Sequence, residues 1–268
     1  MDPTAFLSEI DGGERYGFGR NWTRFLRFVD REKIEFAKQA LLDMLEVDSL
    51  EGLTFLDIGS GSGLSSLAAH ELGAKVYSFD YDPQSVACTL ELRKRFGEST
   101  RSWTIERGSV LDKDYLESLG YFDIVYSWGV LHHSGKMWEA LANAAERIDR
   151  HGKLFVAIYN DQGWISDYWK LAKRTYNRGP GAALLVATVH LPYPFGVSLL
   201  YRLLTGRFAD GRRGMTYWYD FLDWLGGLPF EVASATEIAS FFSARGLVVH
   251  RQKVTKRSGC SEFVLVRS

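Results

Sequence analysis

FLDIGSGSGLSS, residues 55–66, decides the fold. A short apolar run ends in Asp57, then Gly59, Gly61 and Gly63 alternate with Ser60 and Ser62, and an apolar helix begins. Glycines this close mean that something comes near the backbone. Working outward, LSSLAAHELG reads as a helix with Gly73 at its C-terminal end. KVYSFD is then a strand, QSVACTLELRKRFG a helix, WTIERGSV a strand and KDYLESLG a short helix. FDIVYSWG is a strand, KMWEALANAAERID an amphipathic helix and GKLFVAIYN a fifth strand. This strict alternation predicts an α/β fold with a parallel sheet covered on both faces. Before it, residues 21–47 carry Ile34, Ala37, Leu41, Leu42 and Leu45 at helical spacing and predict one helix. After Asn160 the alternation stops and resumes only at ATEIASFFSARG, a helix. GLVVHRQKV and SEFVLVRS follow as strands separated by too few residues for a parallel crossover, so they pair antiparallel.

In a parallel sheet the glycine turn after the first strand lies at the ligand-binding end. Three readings compete for it. A phosphate loop needs Gly-Lys-Ser/Thr, and there is no such lysine. A dinucleotide fingerprint needs a third glycine or alanine where Leu64 or Ser66 stands. The pattern D-x-G-x-G-x-G, used for S-adenosylmethionine, fits from Asp57 to Gly63. Asp80 ends the second strand about 20 residues further on, where a carboxylate accepts both ribose hydroxyls. Tyr81 is placed to pack on an adenine, and Ser109 and Val110 follow the third strand where the adenine edge would lie.

With these motifs, residues 50–160 and 234–268 resemble class I S-adenosylmethionine-dependent methyltransferases, of the subgroup similar to ubiquinone-biosynthesis methylases. The resemblance implies a Rossmann-like seven-stranded sheet of order 3-2-1-4-5-7-6 with the inserted last strand antiparallel. It implies S-adenosyl-L-methionine as cofactor and S-adenosyl-L-homocysteine as product. Gly59, Ser60 and Gly61 would lie along the cofactor, Asp57 near its methionine end, Asp80 at the ribose, and Ser127 at the methionine moiety through its backbone. Ser109 stands where many relatives carry an aspartate for the adenine amino group.

Methyl transfer is an in-line displacement, for which a protein positions the acceptor and removes a proton. SWGVLHHSGKMW, past the fourth strand, offers His132 and His133 as bases, against the alternative that they pack under the loop. No metal is expected, because adjacent histidines without a partner acid point different ways. Trp128 is a wall of the transfer pocket or a core residue. In ERYGFGRNWTRF, Gly17 and Gly19 allow a flap by which Tyr16 and Trp22 close over the cofactor.

Three segments result: an N-terminal flap and helix (1–48), the core (49–160 and 234–268), and a helical cap (161–233). Residues 160–215 hold eight Lys/Arg against three Asp, in a chain of 268 residues with a formal charge of −1. The cap is a lid over an apolar acceptor pocket with cationic groups for a phosphate or carboxylate, an interfacial segment on anionic lipid, or a homodimer contact. Trp164, Tyr217 and Trp224 are its candidate acceptor contacts, and Asp220 and Asp223 share a helix face. A small or medium, largely apolar acceptor and O-methylation are expected first. C-methylation of a prenyl, diphosphate-bearing or aromatic acceptor is the main variant. The near-neutral charge disfavours nucleic acid. A non-catalytic cofactor-binding partner and an NAD(P) oxidoreductase are the readings from other classes. Two cysteines, Cys88 and Cys260, and an acidic start without a signal-peptide pattern predict a cytoplasmic setting.

Overall fold

The computed structural model describes residues 3–97, 102–191, 221, 224–256 and 258–268. Seven strands form one sheet of order β3-β2-β1-β4-β5-β7-β6. They are β1 (Thr54–Ile58), β2 (Lys75–Asp80), β3 (Trp103–Arg107), β4 (Phe122–Trp128), β5 (Ile148–Tyr159), β6 (Leu247–Lys253) and β7 (Cys260–Arg267). The first five strands pair parallel. β7 runs antiparallel to both β5 and β6. Both the order and the antiparallel insertion agree with the sequence expectation.

The helices cover two faces because the strands are apolar on both. On one face Leu56, Ile58, Val125 and Leu154 pack against α6 (Lys113–Leu119), α7 (Met137–Ala145) and α10 (Ala235–Ser243), through Leu116, Leu141, Ala144, Ile238 and Phe242. On the other, Phe55, Ile124, Phe155 and Val264 meet α3 (Arg31–Leu45), α4 (Leu64–Glu71) and α5 (Pro83–Phe96). Leu45 is fully buried there, and its replacement by alanine would cost about 3 kcal/mol.

The single helix expected over 21–47 is two. α2 (Gly19–Phe25) ends before a short turn, and α3 restarts at Asp30, whose extended backbone and side chain cap it by accepting from the Lys33 N–H at 2.9 Å. An aspartate that bonds a free helix N–H starts a helix better than it continues one. A further helix, α1 (Pro3–Asp11), precedes them, and β5 starts earlier than GKLFVAIYN. In the cap, α8 (Trp164–Tyr176) and α9 (Pro180–His190) form a hairpin. Ala172, Val186, Phe221 and Leu225 make its small core. Tyr217, Asp220 and Asp223 lie outside the described residues.

Candidate active site

The glycine turn joins β1 to α4 with all three glycines at positive φ: +80° at Gly59, +57° at Gly61 and +82° at Gly63. Protein side chains press on each of them. A β-carbon at Gly59 would stand 2.3 Å from Val130, and one at Gly63 2.9 Å from Thr89. At Gly61 it would stand 3.1 Å from the indole of Trp22. Helix α2 is thus laid over the turn, anchored where the Gly19 N–H donates to Asp82 at 2.8 Å.

Asp80 ends β2 beside this turn. Its carboxylate accepts from the N–H of Gly61 and of Asp82, each at 2.9 Å. Burial raises its pKa to about 6, with Asp82 adding to the rise and the two N–H donors and Arg15 opposing it. Asp57 faces inward: only 2 % exposed, it accepts from Ser66 Oγ at 2.5 Å. Ser66 and Trp103 share Ser78 Oγ, at 2.7 and 2.8 Å. Burial pushes Asp57 up to about 7. Ser60 Oγ lies 2.9 Å from Thr89 Oγ1.

Tyr81 is held by the N-terminal segment. Its hydroxyl donates to Glu9 at 3.1 Å, the Arg15 guanidinium lies 4.9 Å from its ring centre, and Phe6 meets it edge-on. Arg15 pairs with Glu9 and donates to the His133 carbonyl at 3.0 Å. Tyr16 donates its N–H to the Leu228 carbonyl at 3.0 Å and packs its ring against Gly226. The segment therefore spans from the end of β2 to the loop after β4. After β3, Ser109 Oγ accepts from the Leu111 N–H at 3.2 Å, and the Val110 carbonyl accepts from Asn143 at 2.8 Å.

Past β4, whose buried Ser127 donates to the Ile58 carbonyl at 2.8 Å, a 3-10 turn carries Leu131–His133. His132 stacks on Tyr159 at 3.8 Å and accepts the Tyr159 N–H on Nδ1 at 3.3 Å. Its proton is then on Nε2, which is buried without a hydrogen-bond partner among the described residues. His133 does the reverse: Nδ1 lies 2.6 Å from the Pro229 carbonyl and so carries the hydrogen, leaving Nε2 as an acceptor. Burial lowers both pKa values, that of His133 to about 3, and the charge of Lys173 lowers both further. Lys173 comes from α8, bonds the Trp224 carbonyl, and sets its ammonium 4.4 and 4.8 Å from the ring centres of Trp224 and Phe230. Tyr159 touches both of those rings.

Two other candidates sit elsewhere. Trp128 donates to Glu262 at 3.0 Å, tying β4 to β7. Trp164, expected against the acceptor, is 77 % exposed at the start of α8, because its helical position faces away from the hairpin core. Sequence reading passed over Arg15, Tyr159 and the inward direction of Lys173. Only the last left a signal: Lys173 follows Ser166 and Trp169 at helical spacing.

The site fits the nucleoside cofactor that the turn suggests. A turn with three glycines at positive φ, a carboxylate on the Gly61 N–H, and an aromatic ring next to that carboxylate meet at the C-terminal ends of β1 and β2.

Comparison with known proteins agrees. The profile of a family described as "Methyltransferase domain" matches residues 56–154. Ribosomal protein L11 methyltransferase of Methylococcus capsulatus is 31 % identical over 114 residues, 42 % of this chain and 34 % of that protein. The enzyme of the same name from Vibrio vulnificus CMCP6 is 35 % identical over 97 residues, 36 % of this chain and 28 % of its own. The chain thus spans about a third of the length of these relatives. Among solved structures, magnesium protoporphyrin IX methyltransferase from Synechocystis PCC 6803 with bound SAH has a TM-score of 0.56 at 16 % identity, over 93 % of this chain and 94 % of that one. PKMT2 from Rickettsia typhi in complex with AdoHcy has a TM-score of 0.55 at 14 % identity, over 87 % and 52 %. Turn, sheet order and profile coincide on one conclusion: residues 56–154 carry a methyltransferase domain, on a fold shared with solved methyltransferases.

Proposed function

We propose that the protein transfers a methyl group from S-adenosylmethionine to the hydroxyl of a small or medium, largely apolar acceptor, with His133 taking the proton. The cofactor, when bound, supplies an electrophilic methyl on a sulfonium. Asp80 binds the ribose hydroxyls, and the nucleoside lies along the backbone of Gly59, Ser60 and Gly61. Arg15, Tyr16 and Trp22 exclude water from the same end of the sheet.

The observation that carries the base assignment is the bond from His133 Nδ1 to the Pro229 carbonyl. It fixes a neutral tautomer whose Nε2 lone pair accepts a proton, whereas His132 carries its hydrogen on Nε2 and has no lone pair there to take one. A weak base does not deprotonate a hydroxyl in advance; it takes the proton as the O–CH3 bond forms. The aromatic surroundings, Tyr159, Trp224 and Phe230, support an apolar acceptor, and the Lys173 ammonium among them supports one with an anionic or carbonyl group.

A second reading, methylation of a protein, is favoured by the names of the relatives, which are ribosomal protein L11 methyltransferases. One experiment separates the two. The chain is first titrated calorimetrically with S-adenosylhomocysteine, alongside Asp80→Ala. It is then given tritiated cofactor with a panel of phenols, aliphatic alcohols and ribosomal protein L11. Tight binding lost in the variant, with label in an ether and a His133→Gln rate down roughly a hundredfold or more, is expected. Label in L11 replaces the hydroxyl reading. Intact binding with no label anywhere favours a non-catalytic partner, and absent binding ends the proposal.

A further inference from the structure

The cap hairpin presents water with a surface that suits lipid better. α9 is PGAALLVATVH, a helix without a single charged side chain before its terminal histidine. Only Val186 of it is buried; Leu184 is 70 % and Leu185 63 % exposed, and Val189 is equally open. On α8, Trp164, Tyr168 and Leu171 follow one another at i, i+4 and i+7 and are all exposed. The two helices are locked together by Tyr168 Oη and His190 Nε2 at 2.6 Å, so the two outer faces belong to one hairpin. A helix that is apolar all round normally lies in a core or a membrane.

Charge says what the face meets. Lys170 and Arg174 are exposed one step around α8 from the apolar stripe, and Arg178 is exposed in the turn before α9, against Asp167 alone on the same helix. Basic side chains bordering an aromatic and aliphatic stripe describe an interfacial helix: rings and leucines enter the acyl boundary and cations meet anionic headgroups. Among the described residues no helix is long and apolar enough to cross a membrane. We propose that the outer face of the α8–α9 hairpin docks on the surface of an anionic lipid bilayer, lying on it without spanning it.

The hairpin leaves the sheet after β5, and its inner residues Lys173 and Trp169 reach Trp224 beside the histidine pair. Docking would therefore bring the acceptor end of the site to the bilayer, and an acceptor dissolved in lipid would need no passage through water.

Sedimentation of the full chain with vesicles tests this. Vesicles of equal parts phosphatidylglycerol and phosphatidylcholine should carry the protein down, and pure phosphatidylcholine should carry at least tenfold less. Raised salt should weaken the binding. The Leu184→Ser/Leu185→Ser variant should lose about tenfold or more, and Lys170→Glu/Arg174→Glu a similar amount. Both variants should keep the wild-type melting temperature and affinity for S-adenosylhomocysteine; if the leucine pair destabilises the fold, the charge pair decides alone. Failure to bind anionic vesicles overturns the proposal. So does binding that neither variant weakens. A dimer in ultracentrifugation that the leucine variant dissolves, without vesicle binding, means that a second copy of the chain covers the face instead.

Discussion

The Nδ1 atom of His133 lies 2.6 Å from the carbonyl oxygen of Pro229, and this contact fixes which of the two ring nitrogens carries the hydrogen. The imidazole is neutral down to about pH 3 in the folded chain. Nitrogen-detected NMR should report the Nδ1–H tautomer unchanged from pH 8 to pH 5. The sign for stability follows. The unfolded chain protonates this histidine near 6.5 and the folded one only near 3, so stability falls as the pH drops through that window. The His133→Gln variant should lose less stability than the wild type between pH 6.5 and 4. An imidazole titrating near 6.5 in the folded protein would refute the assignment.

Lys173 couples the cap to that histidine. Its positive charge lowers the His133 pKa, so Lys173→Met, which keeps the length and removes the charge, should move the His133 titration upward. A buried ammonium replaced by an apolar chain of similar size often leaves stability nearly unchanged. Unaltered His133 behaviour in a folded Lys173→Met protein would mean the two groups do not sense each other.

Asp57 gives a pH dependence of the opposite sense. Burial lifts its folded pKa from the ordinary 3.8 to about 7, so between those values the folded chain holds a proton that the unfolded chain has lost. Stability therefore declines as pH rises through this window and levels off above it. Asp57→Asn keeps an acceptor for Ser66 without the charge. Urea melts should find the variant gaining about 1 to 3 kcal/mol over the wild type between pH 4 and pH 8. Equal differences at the two pH values would count against a raised Asp57.

Gly61 and Trp22 make a fourth test. Alanine at φ +57° costs about 1 kcal/mol, and its methyl would also press on the indole 3.1 Å away. Gly61→Ala should lower the melting temperature by a few degrees and weaken S-adenosylhomocysteine binding. In Trp22→Ala the same substitution should cost less, because the neighbour is gone. Strictly additive losses would show that the contact is unimportant.

Much of this was legible in the chain. The strand–helix alternation gives a parallel sheet and the short link between the last two strands gives its antiparallel pair, since each rests on local pattern; the strand order follows only from the family resemblance that the glycine turn carries. Asp80 and His133 were legible as candidates for the same reason. The split at Asp30 was not, because apolar spacing runs on through a cap that only the Lys33 bond reveals. The turn's glycines face Val130, Trp22 and Thr89, contacts across long sequence separations that no spacing encodes. The division of labour between His132 and His133 depends on the Tyr159 N–H and the Pro229 carbonyl, again remote in sequence. Trp164 shows the converse: an aromatic in a basic cap invited a pocket role, while its helical position turned it outward.

The antiparallel β7, between β5 and β6, orders events during synthesis. Residues 260–267 leave the ribosome after the other six strands of the sheet, yet they pair with Lys153–Tyr159 on one side and Leu247–Lys253 on the other. Until they emerge, the strand bearing Leu154, Phe155 and Val156 has one edge open, and its amides are free to pair with another nascent chain. Termination before codon 260 would thus leave the glycine turn and the histidine pair intact in sequence while withholding the strand that closes the sheet.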